Sequence, residues 1–266
     1  MSNIFQRTNL LLGPDAVEVL SKSHVAIFGL GGVGSFAAES LVRSGIGEIT
    51  IIDFDSVGES NINRQSLAFT DTISKPKVDL MEVRAKRINE NCIVNKYAEF
   101  FADDTSDRLL TKEYDAVLDA IDSFNPKIHL ITECIKREIP IFSAMGAAGK
   151  IDPSQVRVAD ISKTTICPLA KRIRKKLKSF GITEGFQVAY SIEPPILPFD
   201  PKLLPENNQE ETMQRGRLRL VQGTVSYMPA IFGLTLSGMV VQHLTGFKTA
   251  RETPDFRDKL KKIYPD

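Results

Sequence analysis

Short apolar runs alternate with segments of helical periodicity through the first half of the chain. The apolar runs predict buried strands over 24–30, 48–53, 93–100, 114–121 and 139–145. Between them, apolar residues recur about every 3.6 positions and predict helices over 34–44, 77–91 and 126–137. This alternation favours an α/β fold, a doubly wound and mostly parallel sheet with helices on both faces.

The second half of the chain is less regular. We expect strands over 155–159 and 186–192 to extend the sheet, and a very basic helix over 169–180. The stretch 194–216 contains five prolines and no periodicity, which predicts a mobile loop. No linker separates two cores. We therefore expect one domain over 1–266, with a core over 1–155 and a substrate-side extension over 156–266.

The longest apolar stretch runs from Pro229 to Leu244 and contains Thr235 and Gln242. It is shorter than the ~20 apolar residues of a membrane span, so we predict a buried helix and no membrane association. The start of the chain lacks the basic-then-apolar order of a signal peptide. Together these patterns favour a cytoplasmic protein.

Composition narrows the class of protein further. The 266 residues carry a formal net charge of +1, so any nucleic-acid surface must be a local patch. Three cysteines, Cys92, Cys134 and Cys167, form no CxxC pair, which suits a reducing compartment and predicts no structural zinc. We place Cys92 and Cys134 in helices and expect no catalytic thiol.

A glycine-rich loop joins the first predicted strand to the first predicted helix. Its glycines are Gly29, Gly31, Gly32 and Gly34, and such a loop lets phosphates approach the helix N-terminus. Asp53 follows roughly twenty residues later, where a ribose-binding acid lies in dinucleotide folds. NAD, FAD and ATP sites all use this loop, so the loop leaves the nucleotide open.

Three further charged residues argue against a dehydrogenase. Arg64 precedes Lys77 by thirteen residues, and Asp122 ends the fourth predicted strand. Hydride transfer needs no cations over the pyrophosphate, whereas attack on the α-phosphate of ATP builds charge that Arg and Lys stabilise. Asp122 is a candidate ligand for Mg²⁺, a hard cation that prefers carboxylates and phosphates. We interpret Arg64, Lys77 and Asp122 as catalytic candidates.

At these residues the sequence resembles the ubiquitin-activating-enzyme-like superfamily of adenylating enzymes, the ThiF/MoeB type. The matching motifs are Gly29–Gly34, Asp53-Phe54-Asp55, Asn61 with Arg64-Gln65, Pro76-Lys77 and Asp119–Asp122. The resemblance implies a Rossmann-like fold and an ATP site formed by the glycine loop, Asp53, Asp55, Asn61, Arg64, Gln65 and Lys77. It also implies that Asp53 holds ribose, Arg64 and Lys77 bind phosphates, and Asp122 binds Mg²⁺.

Within that superfamily the sequence is most similar to the tRNA threonylcarbamoyladenosine dehydratase branch. Matching stretches include Arg7–Gly13, Arg43–Gly47, Gly149–Pro153, Asp160–Thr164 and Tyr190–Glu193. This implies ATP-dependent closure of N6-threonylcarbamoyladenosine, beside the tRNA anticodon, into a cyclic form. It also implies a homodimer in which Arg7 reaches the partner's ATP, and a sulfur-relay protein as a further candidate partner. A flexible terminus is the alternative interpretation of Arg7.

The best candidate for the tRNA surface is the basic helix. No acid interrupts its six cations, Lys171, Arg172, Arg174, Lys175, Lys176 and Lys178. Such a cluster is typical of phosphate contacts, although a solvated helix face is the alternative.

Three rival functions remain open. An activator of a sulfur-carrier or ubiquitin-like protein would share the reaction class but favour a working cysteine, for which only Cys167 lies in the right half of the chain. A nicotinamide dehydrogenase would leave Arg64, Lys77 and Asp122 without a role. A non-enzymatic dimeric scaffold would need neither Arg64 nor Lys77.

Overall fold

A single sheet organises the chain. The computed structural model describes residues 3–111, 113–196 and 223–247. Within these residues seven strands form one sheet in the order β3-β2-β1-β4-β5-β7-β6. All neighbouring pairs are parallel except β6 with β7, which is antiparallel. The strands are β1 His24–Phe28, β2 Glu48–Ile52, β3 Ile93–Tyr97, β4 Ala116–Asp119, β5 Ile141–Ala144, β6 Val156–Asp160 and β7 Gln187–Ser191.

Helices cover both faces of this sheet. In the described residues they are α1 Gln6–Leu12, α2 Pro14–Lys22, α3 Gly34–Ser44, α4 Lys77–Ile88, α5 Asp103–Leu109, α6 Phe124–Lys136, α7 Pro168–Lys178 and α8 Tyr227–Thr245. Alternate residues of β1 enter different cores, since successive strand side chains point to opposite faces. Val25 packs in a core with α3, α4 and α8, and Ala26 packs in a second core with α6 and α7. The predicted doubly wound α/β fold is confirmed.

The predicted elements all exist, but several are shorter than predicted. β1 ends at Phe28 instead of residue 30 because Gly29 adopts a φ of +94° and turns the chain. β3 ends at Tyr97 instead of residue 100, and α4 ends at Ile88 instead of residue 91. Cys92 therefore lies in the turn before β3, and its predicted place in a helix was wrong.

The apolar stretch near the C-terminus forms α8, a helix that packs on α3 inside the core. Gly233 makes this contact possible, because a Cβ there would lie 2.3 Å from the carbonyl oxygen of Val33. Among the described residues, no helix has the length and apolar character needed to cross a bilayer. Of the loop predicted over 194–216, only 194–196 are described, and the rest lies outside the described residues.

Candidate active site

The glycine loop lies where the strand order reverses. β1 pairs with β2 on one side and β4 on the other, so the β1–α3 loop and the β4–α6 turn meet at the carboxyl edge of the sheet. Ligands of doubly wound folds bind at this position. The two segments are in close contact: a Cβ at Gly29 would lie 2.8 Å from the Ala120 carbonyl oxygen. A Cβ at Gly34 would lie 1.8 Å from the Gly29 carbonyl oxygen, so both positions require glycine.

The loop presents backbone donors at the start of α3. No described residue accepts a hydrogen bond from the N–H groups of Gly31 or Gly32. A Cβ at Gly32 would lie 2.9 Å from the Pro229 Cβ, so the first turn of α8 flanks the loop. Donors at the positive end of a helix form a site for phosphate oxygens.

Asp53 holds the glycine loop against the end of β2. Its Oδ2 accepts the Leu30 N–H at 2.5 Å, and its Oδ1 accepts the Asp55 N–H at 2.8 Å. Burial raises the pKa of Asp53, and the nearby positive charge of Lys77 opposes that rise. A carboxylate has about four acceptor positions, so two remain for ribose hydroxyls.

Lys77 is a buried cation at the first position of α4. It is only 4% exposed, and its Nζ lies 2.9 Å from Asp55 Oδ2. Its own N–H also donates to the Asp55 carbonyl oxygen. Lys77 therefore lies together with the carboxylates of Asp53 and Asp55 at the end of β2.

The backbone of Arg64 lies against the glycine loop. A Cβ at Gly32 would lie 3.2 Å from the Arg64 carbonyl oxygen. The guanidinium Nη1 donates to the Ser60 carbonyl oxygen at 2.7 Å and to Asn63 Oδ1 at 2.9 Å. The half-buried Arg64 is thus held by its own turn while its backbone contacts the loop.

Asn61 and Gln65 complete this turn. Asn61 Oδ1 accepts the Gly58 N–H at 3.1 Å, which closes the turn that precedes Arg64. Gln65 is buried with its Nε2 4.0 Å from a Cβ position at Gly31, and no described residue hydrogen-bonds its Oε1. A buried amide oxygen without a donor fits a bound ligand that supplies one.

Asp122 lies in the β4–α6 turn and is exposed. Within the described ranges, no three His, Cys, Asp or Glu side chains cluster as a metal site would require. Mg²⁺ commonly binds through one or two carboxylates together with substrate phosphates. An exposed carboxylate beside a phosphate-binding loop therefore fits Mg²⁺ delivered with a nucleotide, and does not fit a preformed all-protein metal site.

A buried polar cluster lies beneath this turn, and the sequence pattern did not predict it. Lys127 is 1% exposed, and its Nζ lies 2.6 Å from Oδ2 of the fully buried Asp119. Ser143 on β5 donates its hydroxyl to the same oxygen at 2.6 Å. A signal existed, because Lys127 shares the apolar face of α6 with Ile131 and Cys134, where a lysine is out of place.

Arg7 does not reach the loop of its own chain. The ring of Phe5, two residues earlier, lies 3.6 Å from a Cβ position at Gly45, which follows the last turn of α3. The glycine loop lies at the other end of this helix, about 16 Å away. Arg7 is exposed. Its contact with the ATP of a partner chain stays a prediction.

The basic helix is α7. Its apolar residues Ala170, Ile173 and Leu177 are buried. Five of the six predicted cations are exposed, namely Lys171, Arg172, Lys175, Lys176 and Lys178. The sixth, Arg174, is half-buried and donates to the Thr164 hydroxyl.

One cation of α7 touches the active-site end. The Arg172 guanidinium lies 4.5 Å from the centroid of the Phe124 ring. Phe124 is the first residue of α6, two residues after Asp122. The structure therefore brings the basic surface next to the β4–α6 turn, a proximity that the sequence spacing did not reveal.

The three cysteines are buried. Burial raises the pKa of Cys92 to about 11 and that of Cys134 further still, so both thiols stay protonated. Cys167 precedes α7, after Ile166, whose φ of +61° is rare for a β-branched residue.

With this geometry established, comparison with known proteins identifies the family. Residues 5–264 match the ThiF family. The chain belongs to the ThiF family. A relative from Bacillus subtilis (strain 168), a tRNA threonylcarbamoyladenosine dehydratase, is 41% identical over 92% of this chain and 95% of its own length.

Solved structures agree with this ThiF-family assignment. The Escherichia coli tRNA N6-threonylcarbamoyladenosine dehydratase TcdA in complex with ATP is 33% identical, with a TM-score of 0.81. The match covers 94% of this chain and 96% of that one. Its complex with AMP gives a TM-score of 0.82 over 92% and 94% of the two chains.

Proposed function

We propose that this protein is an ATP-dependent tRNA threonylcarbamoyladenosine dehydratase that acts by adenylating a carboxylate. One observation carries the proposal: the similarity to enzymes of that name extends along nearly the whole of both chains. The glycine loop with Arg64 and Lys77 beside it is the site that phosphoryl chemistry requires. We treat 1–266 as one adenylating domain, since strands of its second half join the same sheet as β1.

ATP occupies the switch point of the sheet. Its phosphates accept hydrogen bonds from the N–H groups of the glycine loop, and its ribose hydroxyls donate to Asp53. Arg64 and Lys77 stabilise the charge that develops on the α-phosphate, and Asp55 orients Lys77 through their 2.9 Å ion pair. Asp122 would hold Mg²⁺, which neutralises phosphate charge when it is bound.

The reaction proceeds in two displacements. A carboxylate oxygen of the threonyl group attacks the α-phosphorus of ATP, the bond to the β-phosphate breaks, and pyrophosphate leaves. A nucleophile of the same modified nucleoside then attacks the activated carbonyl carbon, loses its proton, and expels AMP. Ring closure is intramolecular, so proximity lowers the barrier and no enzyme thiol is needed.

The α7 surface is the proposed tRNA contact. Its five exposed cations can bind RNA phosphates and release their counterions. The contact of Arg172 with Phe124 joins this surface to the turn that carries Asp122. A tRNA bound along α7 would therefore lie next to the turn that carries Asp122.

A homodimer is also part of the proposal. Leu10 and Leu11 on α1 are 80% and 75% exposed, which suits an interface that covers this helix and carries Arg7 to the partner's ATP. A sulfur-relay protein stays a candidate partner.

The proposal is tested with purified protein, tRNA that carries the linear modification, ATP and Mg²⁺. Mass spectrometry of the digested tRNA should show loss of one water from the nucleoside, with one AMP released for each product. Replacing ATP by NAD should give no product. Product formed with NAD, or ATP consumed while the nucleoside stays linear, would contradict the assignment.

A further inference from the structure

Three buried polar side chains lie directly beneath the turn that carries Asp122. Asp119 ends β4, Lys127 lies in the first turn of α6, and Ser143 lies on β5. The exposed fractions are 0% for Asp119, 1% for Lys127 and 0% for Ser143. The end of β4, the first turn of α6 and β5 therefore meet at one buried carboxylate.

Stability alone does not explain this ion pair. Removing two charges from water costs several kcal/mol per ion, and replacing a buried pair by apolar residues of similar volume is often neutral or stabilising. The surroundings of α6 are apolar, with Ile128, Leu130 and Ile131 all buried. Burial energetics alone therefore give no reason for two charges at this place, and the hydrogen bonds of the pair point to a further role.

The two carboxylate oxygens of Asp119 have different partners. Oδ2 accepts from Lys127 Nζ and from Ser143 Oγ, both at 2.6 Å. Oδ1 accepts the backbone N–H of Ile121 at 3.0 Å. Lys127 and Ser143 thus fix the rotation of the carboxylate, and the other oxygen fixes the backbone of the turn.

The hydrogen bond of the Ile121 N–H lies between Asp122 and the segment that contacts the glycine loop. Ile121 directly precedes Asp122, and Ala120 directly follows Asp119. The Ala120 N–H donates to the Phe28 carbonyl oxygen at 2.9 Å, and the Ala120 carbonyl oxygen lies against Gly29. A rotation of this turn would move Asp122 and the floor of the glycine loop together.

We infer that Asp119, Lys127 and Ser143 are positioning residues that set the β4–α6 turn for Mg²⁺ and ATP binding. The hydrogen bond from the Ile121 N–H to Asp119 Oδ1 holds the turn in place. Lys127 acts on the turn by orienting Asp119. The inference rests on the proposed function, because it assigns the metal-binding task to Asp122.

Two double variants separate positioning from stability. Asp119→Leu with Lys127→Met removes both charges and also the acceptor for Ile121. Asp119→Asn with Lys127→Met removes both charges but keeps an amide oxygen for Ile121 and a donor for Ser143. Each protein is characterised by its melting temperature, its Kd for ATP in a Mg²⁺ titration, and its KM and kcat for ATP.

The Asp119→Leu, Lys127→Met protein should melt near the wild-type temperature. It should lose roughly 10–100-fold in Mg²⁺-dependent ATP affinity and in kcat, as losses of supporting bonds around metal ligands do. The Asp119→Asn, Lys127→Met protein should lose only about 3-fold on both measures, because its turn keeps the acceptor and Ser143, and only the orienting contact of Lys127 is gone. If both double variants fold and behave alike, whether active or inactive, the inference is overturned.

Single variants keep the inference testable if a double variant fails to fold. Ser143→Ala removes one of the two groups that orient Oδ2 and should raise the Kd for Mg²⁺-ATP by about 3-fold or more. Thr132→Val is the matched control, since that buried hydroxyl on α6 bonds only the Ile128 carbonyl oxygen among the described residues. Equal Kd values for Ser143→Ala, the control and wild type would overturn the inference.

The readouts also separate this inference from the proposed function. Wild-type protein that binds Mg²⁺-ATP but leaves the nucleoside linear would refute the dehydratase assignment, while the variants would still test the turn. Wild-type protein that binds no ATP would refute both.

Discussion

Charged side chains are buried at the carboxyl edge of the sheet and exposed on the α7 surface. We call the first region, where we propose that ATP binds, the nucleotide edge. At the nucleotide edge, the lysines Lys77 and Lys127 are buried, and each is held by a carboxylate within 3 Å. On α7, five cations face solvent, and no described carboxylate forms an ion pair with any of them. Buried charges fix geometry, whereas solvated charges remain available for a polyanion.

This difference predicts different consequences of substitution. Loss of a charge at the nucleotide edge should disturb a rate, because the group acts at one place in a preorganised site. Loss of a charge on α7 should disturb an affinity and its salt dependence, because the group acts as one of several equivalent counterions.

The largest expected effect comes from removing a cation of the nucleotide edge. Arg64→Ala and Lys77→Ala should each lower turnover by a factor of roughly 100 or more, since each removes about 3 kcal/mol of transition-state stabilisation. Steady-state kinetics with saturating tRNA measures this. Lys77→Ala should also lower the melting temperature, because Asp55 loses its partner.

The matched control for Lys77 is the exposed Lys75, two residues earlier. Lys75→Ala should keep both turnover and melting temperature. Equal kinetics for Lys75→Ala and Lys77→Ala would show that the buried lysine has no special role, and the comparison between the two regions would fail.

The second-largest expected effect is the weaker tRNA binding that follows the loss of cations from α7. Changing Lys171, Lys175 and Lys178 to Gln should weaken tRNA binding by about 10-fold or more and reduce the log–log salt slope by roughly 0.7–0.9 per lost phosphate contact. Binding measured across a salt titration tests this. ATP affinity should not change. Arg174 is left intact because it anchors to Thr164.

A charge-matched variant controls for net charge alone. Lys22, Lys86 and Lys136 are exposed lysines on other helices, and their replacement by Gln makes the same change of three charges. This control should bind tRNA with nearly the wild-type salt slope. If it weakens binding as much as the α7 variant does, the effect belongs to the overall charge and α7 is only a solvated helix face.

Arg172 sharpens the comparison because it belongs to both regions. Arg172→Ala should raise the KM for tRNA by about 5-fold, since a cation–π contact of this kind contributes about 1 kcal/mol. Phe124→Leu should have a similar effect, and the double variant should be no worse than either single one. Additive effects in this double-mutant cycle would show that the two residues act independently.

The smallest expected effect concerns the thiols. With its pKa raised to about 11, Cys92 is only about 0.1% thiolate at pH 8, and Cys134 still less, so neither should react with iodoacetamide in the native protein. Cys92→Ser, Cys134→Ala and Cys167→Ser should each retain dehydration activity. Loss of product in Cys167→Ser with ATP binding intact would replace direct cyclisation by a thioester route.

The sequence predicted the fold because the strands are short apolar runs and the helices are amphipathic. Its errors lie at element ends, where backbone geometry decides: Gly29 turns the chain and ends β1 at Phe28, although the apolar run continues to Leu30. The same limit put Cys92 in a helix, since the charged pattern of α4 continues past Ile88 without a clear stop.

The predicted site divides in a similar way. Asp53, Asp55 and Lys77, which the family resemblance assigned to one site, lie together in the structure. The sequence analysis did not predict the contact of Ser143 with Asp119, because it depends on the pairing of β4 with β5. The Asp119–Lys127 pair is close in sequence, and its one signal is a lysine on the apolar face of α6. The contact of Arg172 with Phe124 depends on how α7 packs on α6, which periodicity does not encode.

Adenylation of the substrate carboxylate can be tested by following the carboxylate oxygens into AMP. tRNA whose threonylcarbamoyl carboxylate carries oxygen-18 at both oxygens is incubated with the protein, ATP and Mg²⁺, and the mass of the released AMP is measured by mass spectrometry. Activation of the carboxylate by adenylation predicts that each AMP carries one heavy oxygen from the substrate. Cyclic nucleoside formed together with AMP that contains no heavy oxygen would contradict the account.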